Sequence, residues 1–282
     1  MTSRLSAKPK IKSDIYYLGY QKNSIFDNMA IDEVLMELAD KENKFFFRLY
    51  DFNKDSIILA FSDSMENVKA VDGNVELTRR LSAGKPIYID DNVLSYSFIG
   101  PMKDNGTLKN GESIHDFFGT IIMDSIKSIS NDPERPNIKL GKAYSIKVGE
   151  KPIVGNGQHI SLSHSFMYHG IIAVGKWNAE KVNAYLNLVR KDYEALKDLP
   201  SIESINRVKG QSIEYYKSEL IKQIIKNINN RFNSVKEISK EESNEINKMK
   251  LEKVPKYKDI GWIDRKDILL KKDSRFCLLW PD

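Results

Sequence analysis

Cysteine is almost absent from this chain: Cys277 stands alone among 282 residues. No disulfide can form within the chain, which suits a reducing compartment and leads to an expectation of the cytoplasm. Histidine is also scarce, with His115, His159, His164 and His169 at spacings that fit no zinc motif, so no metal site is expected. His159 and His164 flank the turn "HISLSH" and read as polar surface. No apolar run approaches the length of a membrane span, and "MTSRLSAKPKIKSD" carries no apolar leader core, so no membrane is expected. A dense basic face is missing too. Lys and Arg total 44 against 39 Asp and Glu, a net charge of +5, which is too mild for a nucleic-acid module. Internal repeats and Gly/Ser-rich or Pro-rich linkers are likewise absent.

What is present is a mixture of strand and helix signals. About 41% of the residues are apolar, enough to bury a core. Residues 1–13 are basic, contain Pro9 and read as a disordered tail. "DIYYLGYQ" reads as a strand, and residues 24–42 have helical spacing with Ser24 or Asp27 as the N-cap. "KFFFRLYDF", "SIILAFS", "VELTRRLS", "PIYID" and "LSYSFIG" read as further strands. A helix is predicted over 113–129, strands near 143–148, 151–160 and 165–174, and helices over 178–188, 199–205, 211–232 and 239–252. The helix over 211–232 is the clearest, with Ile213, Tyr216, Leu220, Ile221, Ile224, Ile225 and Ile228 in one stripe. "SRFCLLW" reads as a strand or docked tail. The irregular alternation predicts an α+β fold, a mostly antiparallel or mixed central sheet with packed helices. Residues 14–265 are expected to form one domain, and residues 266–282 an extension packed on it.

Three stretches look site-like. In "TRRLSAGKPIYIDD", Ser82, Ala83 and Gly84 form a small-residue turn whose backbone can approach a ligand. Arg79 and Arg80 alternate sides of a strand, so only one can face a given pocket, where its guanidinium would suit a carboxylate or phosphate. In "KPIVGNGQHISLSHSFMYHG", Gly155, Asn156 and Gln158 form a second small-residue patch ahead of His169 and Gly170. "NMAIDE", residues 28–33, opens the first helix.

Together and in this order, these motifs resemble the lipoate–protein ligase and octanoyltransferase family, whose fold is related to that of the biotin protein ligases and the class II synthetases. Asn28-Met29-Ala30-Ile31-Asp32-Glu33 matches the family pattern Asn-Met-Ala-x-Asp-Glu, and Arg48-Leu49-Tyr50 its Arg-Leu-Tyr. Arg79, Arg80, Ser82, Gly84 and Asp90 match the Arg-Arg-x-Ser-Gly-Gly-Gly loop and its following strand. Tyr96-Ser97, then Ile153, Gly155, Asn156 and Gln158, then His169-Gly170 and finally Lys256-Tyr257 and Trp262 follow. The resemblance covers residues 14–265. It implies attachment of a lipoyl or octanoyl group to a lysine of a lipoyl-type carrier domain, with lipoate or octanoate, free or adenylated, as ligand. It leaves open a small accessory subunit. ATP and magnesium are implied only if ligase activity is retained. The substrate-binding set carried over is Arg48, Arg79, Arg80, Ser82, Ala83, Gly84, Gly155, Asn156, Gln158, His169 and Gly170.

The chain departs from the pattern where the chemistry is concentrated. The family lysine that faces the acyl carbonyl and adenylate falls at Pro152, which has neither a cation nor an amide hydrogen. Lys151 is adjacent but belongs to the opposite strand face unless a bulge intervenes. The glycine triplet is Ala83-Gly84-Lys85, and the Asn-Asp pair ahead of the lysine strand is Tyr144-Ser145. Lys85 and Lys151 are therefore the two candidate catalytic cations. Either Lys85 reaches into the acyl pocket and replaces the lost charge, or it points to solvent beside a degenerate adenylate site. Two function classes remain: an enzyme with an unusual residue set, and a non-catalytic paralogue or ligase-complex subunit that binds the acyl group or the carrier domain. A biotin-ligase-like regulator lacks its helix-turn-helix module here.

Overall fold

The computed structural model describes residues 9–69, 71–102, 108–130, 137–142, 144–206, 208 and 210–265. The chain begins with β1 (Ile15–Asn23), α1 (Ile25–Glu42), β2 (Phe45–Phe52), β3 (Ser56–Leu59), β4 (Glu76–Arg79), β5 (Ile87–Ile89) and β6 (Val93–Pro101). It continues through α2 (Gly111–Ile114), a π turn at His115–Gly119, α3 (Thr120–Ile129), β7 (Ile138–Leu140), β8 (Ser145–Val148), β9 (Lys151–Ile160) and β10 (Ser165–Ala173). The last part holds α4 (Ala179–Tyr185), α5 (Arg190–Lys197), α6 (Ile202–Ile205), α7 (Ile213–Asn229), β11 (Val235–Glu237), α8 (Lys240–Lys258) and α9 (Ile260–Ile263).

The expected α+β architecture is what forms. A large mixed sheet runs β11-β1-β2-β6-β10-β9-β8-β7, and a small sheet runs β4-β3-β5. β1 is parallel to both β11 and β2, while the pairs from β2 to β7 are antiparallel. β2 shows why the sheet is covered on both sides. All eight of its residues are buried. Alternation sends Phe45, Phe47 and Leu49 to one face and Phe46, Arg48 and Tyr50 to the other. The first face packs under α3 and α7, where Ile121, Ile122, Ile126, Tyr216, Leu220, Ile224 and Ile228 complete the main core. The second face lies under α1, which carries Val34, Leu35 and Leu38 into a second core shared with Ile246 of α8. Sandwiched between sheet and α8, α1 is buried almost all round.

Local signals set most boundaries. Ser24 caps α1 by accepting from the Asp27 amide, and Asn43 ends it in a left-handed conformation. Ser239 and Glu242 form a reciprocal capping box at the start of α8. The helix expected to stop at 252 continues through Pro255 to Lys258, because Tyr257 is drawn into a buried position where its hydroxyl donates to Glu33 at 2.7 Å. The helix predicted over 178–188 stops at Tyr185, and the short elements β7, α5 and β11 carry no periodicity that announces them. Within the tail expected over 1–13, Ile11 is buried and its amide donates to the Arg231 carbonyl at 2.9 Å, while Pro9, Lys10 and Lys12 are exposed. The extension over 266–282, with Cys277 and "SRFCLLW", lies outside the described residues. No helix among the described residues is long and apolar enough to cross a membrane.

Candidate functional site

The site is built on one face of four adjacent strands. Cross-strand pairing places Arg48, Ser97, His169 and Gly157 in one row across β2, β6, β10 and β9. The next row along the strands is Tyr50, Ser95, Ile171 and Gly155. Met29 of α1, the small sheet through Ile58, Ile87 and Ile89, and Trp177, Val182 and Leu196 close a cavity of ≈ 340 Å³ over that second row. Its walls are mostly apolar. The row nearer α1 makes one end polar, where His169, Gly157, Arg80, Gly84 and Lys85 line it.

Arg79 and Arg80 part company as strand alternation demands. Arg80 lines the cavity and is buried. Its Nε donates to Ser82 Oγ at 2.9 Å, and another nitrogen donates to the carbonyls of Ala83 and Lys85 at 3.1 and 3.0 Å. The 82–85 loop is thus wound around one guanidinium, with Gly84 at φ 125°, a conformation that favours glycine. Burial pulls the Arg80 pKa down to about 10, against the opposing pull of Asp63. Arg79 points the other way and does not line the cavity. It donates to the carbonyls of Ala60 at 2.6 Å, Asp63 at 2.8 Å and Ile263 at 2.6 Å, and Trp262 Nε1 donates back to the Arg79 carbonyl at 3.0 Å.

Ser82 is buried, and its Oγ lies 2.6 Å from His169 Nε2. On the other side of that ring, Nδ1 faces Asp32 Oδ2 at 3.8 Å. Asp32 Oδ2 also accepts from Ser97 Oγ at 2.9 Å, and Asp32 Oδ1 from Arg48 at 3.1 Å. Burial lowers the His169 pKa below its ordinary value, and the Arg80 charge adds to this, while Asp32 opposes both. His169 is therefore neutral near pH 7. Arg48, expected against substrate, is fully buried and does not line the cavity. It donates to the Asn28 carbonyl at 2.9 Å and to the Asn28 side chain, stacks 3.9 Å over the Tyr50 ring, and so pins α1 to β2.

The two candidate lysines are separated. Lys85 lines the cavity and has no ion-pair partner among the described residues. Lys151 does not line it. Its side chain is 55% exposed and pairs with Asp198 at 3.6 Å. β9 does contain a bulge, since Ile146 pairs with Val154 but Lys147 with Pro152. It falls at Ile153, beyond Lys151, and leaves Pro152 on the cavity wall. Gln158 is also turned away and donates to the Gly111 carbonyl at 2.9 Å. Gly155, Asn156 and Gly170 line the cavity, but the Asn156 amide is engaged, accepting from the Tyr96 hydroxyl and donating to the Tyr144 carbonyl at 2.5 Å. Ser145, where the resemblance expects a carboxylate, donates to the Lys142 carbonyl at 3.0 Å. Among the described residues no three acidic, cysteine or histidine side chains converge to hold a metal ion.

Other cavity residues escaped sequence reasoning. Asp63 and Asn67 lie on the wall, and burial raises the Asp63 pKa although Asn67 Nδ2 and the Ser64 amide both donate to Oδ1, at 2.5 and 2.9 Å. Trp177 and Ser95 line the slot with no motif to mark them, while Tyr50 is the last residue of the Arg-Leu-Tyr match. Asp32 lay inside the quoted "NMAIDE" motif, yet only the fold brings it to His169. His159, read as surface, is half-buried, and burial lowers its pKa below the ordinary value.

The profile of the Lipoyl protein ligase A/B catalytic domain matches residues 24–241. The chain belongs to this family. Lipoate–protein ligase 1 of Staphylococcus aureus is 29% identical over 175 residues, 57% of this chain and 49% of that protein. The chain spans about half the length of the curated lipoate ligases it matches. Among solved structures, protein Ta0514 of Thermoplasma acidophilum with bound lipoic acid superposes with a TM-score of 0.66 at 18% identity, over 90% of this chain and 99% of that one. A bipartite lipoate protein ligase from the same archaeon, described with its E2 lipoyl domain, gives 0.66 at 18% identity over 94% and 99%. These superpositions establish the lipoate-ligase fold. Within that fold, residues 242–265 lie past the end of the profile match, yet they carry Tyr257, Trp262 and Ile263, which hold Glu33 and Arg79 in place.

Proposed function

We propose that this lipoate-ligase-family protein holds a lipoyl or octanoyl group in the 340 Å³ slot and passes it to a lysine of a lipoyl-type carrier domain. The observation that carries the reading is the shape and polarity of that slot. It is apolar along Tyr50, Ile58, Ile87, Ile171 and Trp177, and cationic only at the Arg80–Lys85 end. A straight acyl chain fits the first part and a carbonyl or carboxylate the second. The solved relative that holds lipoic acid supports the choice of ligand, and the one described with its lipoyl domain supports the choice of partner. Activation is proposed to proceed without ATP, because Pro152 and Ser145 remove the cation and carboxylate that an adenylate and its metal need.

Calorimetric titration with octanoate and with lipoate tests the reading. Both are expected to bind at one site. Ile171→Trp, which fills the slot floor, is expected to abolish binding while far-ultraviolet circular dichroism stays unchanged. Lys85→Ala is expected to weaken octanoate several-fold. With ATP and magnesium added, acyl-AMP is expected to stay at background, since each missing electrostatic contact removes about two to three orders of magnitude in rate. Wild-type protein that binds neither acid defeats the reading. A second reading, a non-catalytic acyl or carrier binder, draws on Pro152 at the cavity wall, and is favoured if binding is intact but no acyl group ever reaches a carrier domain.

A further inference from the structure

One face of β6 carries Val93, Ser95 and Ser97, while Leu94 and Tyr96 between them enter the main core on the other side of the sheet. The register sets Ser95 between Tyr50 of β2 and Ile171 of β10, and all three line the slot. Ser97, one step along the same face, donates to Asp32 at 2.9 Å. Ser95 differs. It is 1% exposed, and its Oγ has no hydrogen-bond partner among the described residues. The same holds for Nε1 of Trp177, an atom shielded from solvent on a side chain that also lines the slot. Trp177 packs on the cluster that contains Tyr50 and Ile171, the two neighbours of Ser95, so both polar groups belong to one stretch of wall.

An unpaired hydroxyl and an unpaired indole N–H are costly in an apolar wall. Alanine and phenylalanine would fill the two places without that cost, so the pair points to a ligand that uses it. An indole N–H can only donate and a hydroxyl can donate as well, so the group that satisfies both is an acceptor oxygen. A plain octanoyl chain has none beyond its carboxyl end. Resting on the acyl-slot reading above, we infer that the slot is built for an acyl acid with a hydroxyl or keto oxygen on its chain, and that Ser95 and Trp177 select it. The register also locates that oxygen. The row of His169 and Gly157 marks the polar end, and the row of Ser95 lies two residues further along the strands, about 6.6 Å away. An extended chain advances about 1.2 Å per bond, so an acid held by its carboxylate at the polar end brings about its sixth carbon to Ser95. A site that hydrogen-bonds a substrate oxygen discriminates against the analogue lacking it, because its own polar groups are then left unpaired.

The test is calorimetric titration of the full chain with four acids: octanoate, octanoate hydroxylated at the third carbon, octanoate hydroxylated at the sixth carbon, and octanoate with a ketone at the sixth carbon. The two acids with oxygen at the sixth carbon are expected to bind about tenfold or more tighter than octanoate, and the third-carbon acid to gain nothing. Ser95→Ala is expected to bind octanoate more tightly than the wild type does, since no hydroxyl is stranded, and to lose most of the preference. Trp177→Phe, which keeps the ring and removes the N–H, is expected to reduce the preference several-fold. The wild-type comparison needs neither variant, so the inference stays testable if one of them misfolds. Octanoate that binds as tightly as the sixth-carbon acids overturns the inference and leaves the acyl-slot reading standing. An equal gain from the third-carbon hydroxyl, or a preference that survives intact in both variants, also overturns it. Failure of all four acids to bind overturns the slot reading and the inference with it.

Discussion

Arg48 and Asp32 meet between helix and sheet with both side chains essentially out of solvent. Neutralising one of two such charges leaves the other stranded, which typically costs about 3–5 kcal/mol. Arg48→Met is therefore expected to lower the urea midpoint steeply, and a loss under about 1 kcal/mol would show that Ser97 and His169 suffice to hold the Asp32 charge. The same residue illustrates what the sequence can and cannot tell. "RLY" marks it as special, but its special duty is to fasten α1, because its donors are consumed by Asn28 and Asp32. For the arginine pair, period-two alternation was enough to say that one of Arg79 and Arg80 faces the pocket. It was not enough to say which, because the deciding partners of Arg79 include a carbonyl 184 residues further along the chain. Lys151 was separated from Lys85 by the position of a bulge, which no local pattern encodes.

At the scale of elements, the strongly periodic segments were legible. The stripe over 211–228 buries Tyr216, Leu220, Ile224 and Ile228 against the sheet and α3 as its spacing requires. Leu220 has no exposed surface, so Leu220→Ala is expected to cost about 2–5 kcal/mol in equilibrium urea unfolding. A cost near zero would mean that the helix is held by something other than its apolar face. Two strands of three residues, β7 and β11, escaped notice, since they are too short to show a period and exist because a neighbouring strand offers unpaired backbone groups. The α4–α5 wall of the cavity was missed in part for a related reason. Among the described residues of α4 and α5 only Ala179, Val182 and Leu196 are buried, so the apolar signal is thin while the geometric contribution is large. The slot itself has no linear signature, because its floor takes one residue from each of four strands.

For the whole molecule, charge makes two expectations. Burial lowers the pKa of His115, His159 and His169 below their ordinary value of 6.5. Unfolded, these groups take up protons that the folded state resists, so stability is full above about pH 6.5 and falls as pH drops below it. The depressed carboxylates, such as Glu33 and Glu242, contribute their own loss only further down, below their ordinary 4.5. Urea midpoints at about pH 7.5 and about pH 5.5 should therefore differ, the lower pH giving the weaker protein, and equal midpoints would contradict the burial of His115 and His169 and the half-burial of His159. The net charge of +5 also predicts that association of the proposed carrier domain, where that domain is acidic, weakens as salt rises from about 50 to about 500 mM, read by calorimetry.

Arg79 grips backbone from two distant stretches of the chain at once. Its guanidinium holds the turn at Ala60, Phe61 and Asp63, which borders the slot, together with Trp262 and Ile263 of the last described helix. A ligand that stiffens the Asp63 side must, by reciprocity, make the far helix harder to peel away, and loosening that helix must weaken the ligand by the same factor. Backbone amides of 260–263 are thus expected to exchange more slowly with deuterium when octanoate is bound. The short helix at Ile260–Ile263 is, in thermodynamic terms, a remote part of the protein's own binding constant.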